Sequence, residues 1–182
     1  MTHLNKEQLE NGLDFIKKSP KDNGVLQLIV RRPKVNEREV LEQGELDLEV
    51  GLVGDCWKTK GSSRTTDGFG HPDMQLNLMN SRIIDLIAQD KKRWKLAGDQ
   101  LFVDLDLSGE NLPIGTRLSI GNTVIEVTKI PHTGCKKFVE RFGLDAVKFV
   151  NSPVGRLLNL RGINAKVIIP GIIKTNDAVR KM

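Results

Sequence analysis

Between Leu101 and Leu107 the chain alternates cleanly: Leu101, Val103, Leu105 and Leu107 fall on one side of an extended backbone, Phe102, Asp104 and Asp106 on the other. This period of two predicts a half-buried strand. Shorter stretches repeat it in "GVLQLIV" (Gly24–Val30) and "MQLNLM" (Met74–Met79). In Arg117–Val127, "RLSIGNTVIEV", two apolar runs flank Gly121-Asn122, a dipeptide able to supply the positive φ angles of a two-residue turn, which predicts a β-hairpin. The closing run "AKVIIPGII" contains Pro170, which cannot donate to a ladder, and Gly171. It predicts an edge strand or one bent sharply at a barrel corner.

Helical spacing is scarcer. Leu9, Leu13 and Ile16 predict a helix over Lys6–Lys18. A second runs from about Arg82 to Gln89 with Asn80 or Ser81 as cap, and a third begins near Cys135, with Thr133 as its candidate cap, and stops at Gly143. Short strands with a few helices predict a mainly β domain, barrel-like, with the helices at its periphery. At 182 residues, with no internal repeat and no Pro/Gly/Ser-rich linker, the chain reads as one domain, 1–182. Its long loop is Asp55–Pro72, and loops of that length inside a compact domain tend to be functional.

Two cysteines, Cys56 and Cys135, are too few for a disulfide framework and suit a reducing compartment. Charges run through the first twenty residues, unlike a signal peptide, and no apolar run approaches a membrane span, so the expected location is the cytoplasm. The net charge of +5 is spread along a chain that has no Tyr and no base-stacking pattern. That argues against nucleic acid and for either a solvated surface or a pocket that takes a small anion.

The stretch "PHTGCKKFVERFG" holds the most specific chemistry. A helix N-terminus and two lysines, Lys136 and Lys137, would favour thiolate over thiol at Cys135; the same spacing also allows a buried, inert cysteine beside Phe138 and Phe142. Cys56 follows Asp55, whose charge disfavours a thiolate, and reads as an ordinary thiol. No CxxC or HxxxH spacing suggests a structural zinc site. The segment "GSSRTTDGFG" has the small and hydroxylated residues of an anion cradle, or of a plain surface loop.

Five stretches in order, "GLVGDCW" (Gly51–Trp57), "MQLNLM", Leu105–Thr128, "HTGCKKF" and "GIIKTNDAV" (Gly171–Val179), together resemble a MOSC domain, the family named for the C-terminal domain of molybdenum-cofactor sulfurase. The likeness covers about residues 51–179, with 1–50 supplying an N-terminal helix and first strands of the same domain. It implies a β-rich barrel whose signature cysteine is Cys135, either bearing a persulfide as a sulfur carrier or ligating the metal of a molybdenum cofactor (molybdopterin) that reduces N-hydroxylated substrates. A third reading is an anion or nucleic-acid binding module without catalysis. The resemblance places Asp55, Lys58, Lys60, Arg64, His132, Thr133, Lys136 and Arg156 around the cofactor. Pyridoxal phosphate is not expected in this chain, and a sulfur donor or electron donor would be another protein. Trp57 stands where the family often has histidine, and Gly134 where it often has proline.

Overall fold

The computed structural model describes residues 2–62 and 64–182. Its strands are β1 (Gly24–Arg31), β2 (Glu39–Leu41), β3 (Gln43–Asp47), β4 (Gly51–Leu52), β5 (Leu76–Asn80), β6 (Leu101–Asp104), β7 (Arg117–Ile120), β8 (Thr123–Val127), β9 (Ile163–Ile169), β10 (Gly171–Lys174) and β11 (Ala178–Lys181). Seven of them close into a barrel in the order β1-β11-β7-β8-β9-β5-β6 and back to β1, mixed because β5 and β6 run parallel. β2 adds to the outside of β1, and β3, β4 and β10 form a small second sheet.

The alternation seen in the sequence divides the apolar residues between the two faces of the barrel wall. Leu101, Val103, Leu105 and Leu107 belong to the interior cluster with Leu26, Ile29 and Leu78, whereas Phe102, Met79 and Val30 join an outer cluster under the helices. Leu26 and Ile29 are three residues apart yet face the same way. A bulge in the β1–β6 register between Leu26 and Leu28 resets the parity. Leu46, Leu52 and Ile173 of the small sheet complete the interior.

The hairpin forms as expected, Leu118 opposite Ile125, with Gly121 at φ 58° in its turn. At Pro170 the final apolar run changes sheets. β9 pairs with β8 and β5 in the barrel, and β10 pairs with β3 outside it. The expected strand at Met74 starts later, because Pro72–Met74 is a 3₁₀ turn capped by His71 Nδ1, which accepts from the Asp73 N–H.

The helices depart more from expectation. The segment Lys6–Lys18 is two helices, α1 (Lys6–Asn11) and α2 (Leu13–Lys17), parted at Gly12, where a Cβ would collide with Leu86. α3 (Trp57–Lys60) is a single turn inside the long loop, and α4 (Ser81–Ala88) is capped by Asn80 as expected. α5 (Lys136–Phe142) starts after Cys135, which is itself the cap, in place of Thr133. Beyond Gly143, α6 (Leu144–Asn151) and α7 (Pro153–Leu157) add two helices that the sequence reading left out; Pro153 at the first turn and the Ser152 Oγ that accepts from the Gly155 N–H start the second.

Candidate functional site

Asp55 organises the entry to the long loop. Its side chain is fully buried, and it accepts from Arg32 twice, Nε to Oδ2 at 2.8 Å and Nη2 to Oδ1 at 2.7 Å. The Arg32 and Trp57 backbone N–H groups donate to the same carboxylate. With both oxygens engaged, Asp55 reaches the neighbouring cleft only through Arg32. The Trp57 indole packs against Gly70, where a Cβ would come within 2.7 Å of the ring.

That cleft, of about 310 Å³, holds Cys135 and Cys56 together. Cys135 is exposed, so the inert-core reading of this thiol does not hold; Phe138 and Phe142 are buried without it. Lys60 lines the cleft, with Lys137 rather than Lys136 on the Cys135 side. Arg32, Lys34, Arg38, Arg141 and Arg161 bring the other charges, and no Asp or Glu is among the lining residues. Burial pushes the Lys60 ammonium below its ordinary value, and Arg32 and Lys137 push it further. Arg38 moves in the same direction, through burial and then through Arg141 and Arg32, and its buried Nε has no partner among the described residues. Arg32 and Arg161 are paired with Asp55 and Asp99, but Lys34, Arg38, Lys60, Lys137 and Arg141 have no carboxylate partner among the described residues, and that excess favours an anionic ligand.

A second cleft of about 480 Å³ lies alongside, lined by Arg64, Thr133, Asn151, Arg156 and Asn159. His132 and Arg161 line both clefts. Arg161 is fixed by Asp99, by the Ala97 carbonyl at 3.0 Å and by the Phe138 ring 4.9 Å from its guanidinium carbon, while its Nε has no partner. His132 Nδ1 lies 3.4 Å from Asp99 Oδ1 without a hydrogen bond. Burial, then Arg161 and Arg32, holds its pKa well below the usual histidine value, so the ring is neutral near pH 7.

The backbone just before the thiol is clamped. The Gly134 N–H donates to Asn151 Oδ1 at 2.9 Å, and Asn151 Nδ2 donates back to the Gly134 carbonyl at 3.2 Å. A proline has no N–H to give this bond, and any Cβ here would lie 2.6 Å from Val147 Cγ2, which favours glycine.

The structure therefore gathers Cys135, Lys60 and His132 at one cleft and Arg64, His132, Thr133 and Arg156 at the other. Lys58 lies outside both, 3.3 Å from Glu49, and Lys136 is exposed outside both. Arg32, Arg38, Arg141, Arg161 and the placement of Cys56 were missed from sequence. Only the basic run "RRPK" at the end of β1 carried a local signal.

No protein-family model and no curated protein matches the sequence. Solved structures do share the fold. YuaD from Bacillus subtilis superposes with a TM-score of 0.62 at 16% identity, over 86% of this chain and 94% of that one. YiiM from Escherichia coli gives 0.56 at 19%, over 87% and 69%. YiiM from Geobacillus stearothermophilus gives 0.53 at 11%, over 90% and 74%. Among the described residues no helix is long and apolar enough to cross a membrane.

Proposed function

We propose that the chain is a MOSC-type domain that holds the molybdenum cofactor through the Cys135 thiolate. The observation that carries this reading is an exposed thiol in a cleft lined by seven Lys and Arg side chains and no carboxylate. The donor set fits the group: a thiolate is a soft ligand for a sulfur-rich metal centre, and the cofactor's phosphate suits Lys60, Lys137 and the unpartnered Arg38 Nε. No three His, Cys, Asp or Glu among the described residues converge to hold a metal by themselves, so Cys135 would be the chain's contribution and the pterin would bring the rest. When bound, the metal supplies two-electron reduction of N-hydroxylated substrates. The chain's own part is to ligate through Cys135, neutralise the phosphate and hold neutral His132 at the wall of the cleft. Electrons come from a separate donor protein, and the chain calls on no pyridoxal phosphate.

One observation favours a second reading. Cys56 shares the cleft with Cys135, which gives a persulfide carrier a neighbouring thiol for sulfur exchange. A cleft of this volume suits a small ligand rather than a polynucleotide, which supports both readings over a nucleic-acid module.

Protein purified from a host that makes the cofactor decides between them. The expected result is molybdenum and oxidised pterin in near-equal amounts, both lost in Cys135→Ser. Protein that carries an extra sulfur atom on Cys135 and no molybdenum would put the carrier in place of the cofactor protein.

A further inference from the structure

The two clefts meet at Arg161 and His132, yet their free charges differ in origin: Lys60 and Lys137 serve the thiol cleft, Arg64 and Arg156 the second. We infer that the second cleft is a separate subsite for the phosphate monoester of an anionic substrate, whose organic body extends past His132 toward Cys135. This rests on the cofactor reading for the thiol cleft, and it takes Arg64 and Arg156 away from the pterin phosphate.

Arg156 is aimed by its own Nε, which donates to the Asn151 carbonyl at 3.0 Å. Its remaining nitrogens are unassigned, and no side-chain bond occupies Arg64 among the described residues. Thr133 is exposed and lines the same cleft. Arg161, only 5% exposed and paired with Asp99, also lines the cleft, and its buried Nε has no partner among the described residues. Asp99, next to this wall, is fully buried and already holds Arg161. No acid lines the cleft itself.

Donors from three separate segments, the long loop, His132–Thr133 and α7, line this one cleft. A tetrahedral dianion can accept from all of them, whereas a planar carboxylate satisfies one guanidinium fork. At about 480 Å³ the space exceeds what a phosphate alone needs, and Pro131 and Val150 give the rest of the ligand an apolar surface.

The test titrates adenosine 5′-monophosphate and adenosine, as probes of the class, into full-length Lys60→Gln protein, where phosphate binding in the thiol cleft is weakened. The monophosphate should bind at least tenfold more tightly than the nucleoside. Adding Arg156→Gln or Arg64→Gln should each cut its affinity by about tenfold, or about 1.4 kcal/mol. Molybdenum content, measured with Lys60 intact in the unsubstituted protein and in Arg156→Gln, both from the cofactor-making host, should be the same. Equal binding of monophosphate and nucleoside, or affinity indifferent to both arginine substitutions, overturns the subsite. Arg156-dependent binding by protein that never contains molybdenum sustains the subsite and removes the cofactor reading instead.

Discussion

Nη1 of Arg161 donates to both oxygens of Asp99, at 2.9 Å and 2.8 Å, with the carboxylate shut off from solvent between the barrel wall and the two clefts. Buried partners of this kind are costly to separate, because the survivor is left as an uncompensated charge. Arg161→Met should destabilise the fold by about 3–5 kcal/mol. Asp99→Asn combined with it should recover part of that loss. Urea unfolding of the two variants checks both; equal destabilisation would show that packing, rather than the stranded carboxylate, dominates.

His132 makes stability depend on pH. Its folded pKa is depressed by burial and by Arg161 and Arg32, so as pH falls below about 6.5 the unfolded chain takes up a proton that the folded chain refuses. Stability present above that pH is therefore lost as pH drops, by at most about 1.4 kcal/mol per pH unit from this group. His132→Gln should flatten that segment of the stability profile, measured by denaturant midpoints between pH 7 and 5.

Cys135 is exposed and Cys56 half-buried in the same cleft, so Cys135→Ser should shift the thermal midpoint little while removing molybdenum. Cys56 reads as an ordinary thiol in the sequence, so Cys56→Ser should leave cofactor and sulfur content alone, and metal analysis of both variants tests that contrast. Shared location adds a further outcome: a ligand that fills the cleft should slow alkylation of both thiols, read by mass spectrometry of their peptides.

Gly134→Pro restores the residue common in the resembled family but removes the N–H that donates to Asn151 and adds a Cβ about 2.6 Å from Val147 Cγ2. It should cost about 1–3 kcal/mol, with the lost bond to a buried-side partner as the main cause. Asn151→Ala should cost about 1 kcal/mol and loosen the same backbone without the clash, and thermal melts compare the two.

What could be read from the chain was local. Alternation at Leu101–Leu107, the Gly121-Asn122 turn and the Pro170 bend each act within a few residues; the first two shape the barrel wall, although β6 itself ends at Asp104, and the third carries the chain into the small sheet. α6 escaped notice although Ala146, Val147, Phe149 and Val150 bury one face, because Gly143 looked like a terminus rather than a hinge between two helices. The site was less legible. Cys135 stood out by its lysines, but Arg32 and Arg38 arrive from the segment after β1, Arg141 from α5 and Arg161 from the approach to β9. Only folding brings them together, so spacing along the chain carries no trace of the cleft. Asp55 was noticed as a ligand candidate, and its engagement by Arg32 became visible only with the partner in place.

The ring of staves is shut by its earliest and latest members, with Gly24 set against Val179 and Val25 against Ala178. During synthesis the Gly24–Val25 end of β1 must therefore wait unpaired on that flank until Ala178 and Val179 have left the ribosome, while β2 covers Ile29–Arg31. Pairings this distant make for slow closure and leave an open edge in the nascent protein. The helices packed over β1, β5 and β6, all N-terminal to α5 or just after it, can shield that wall before the last stave arrives.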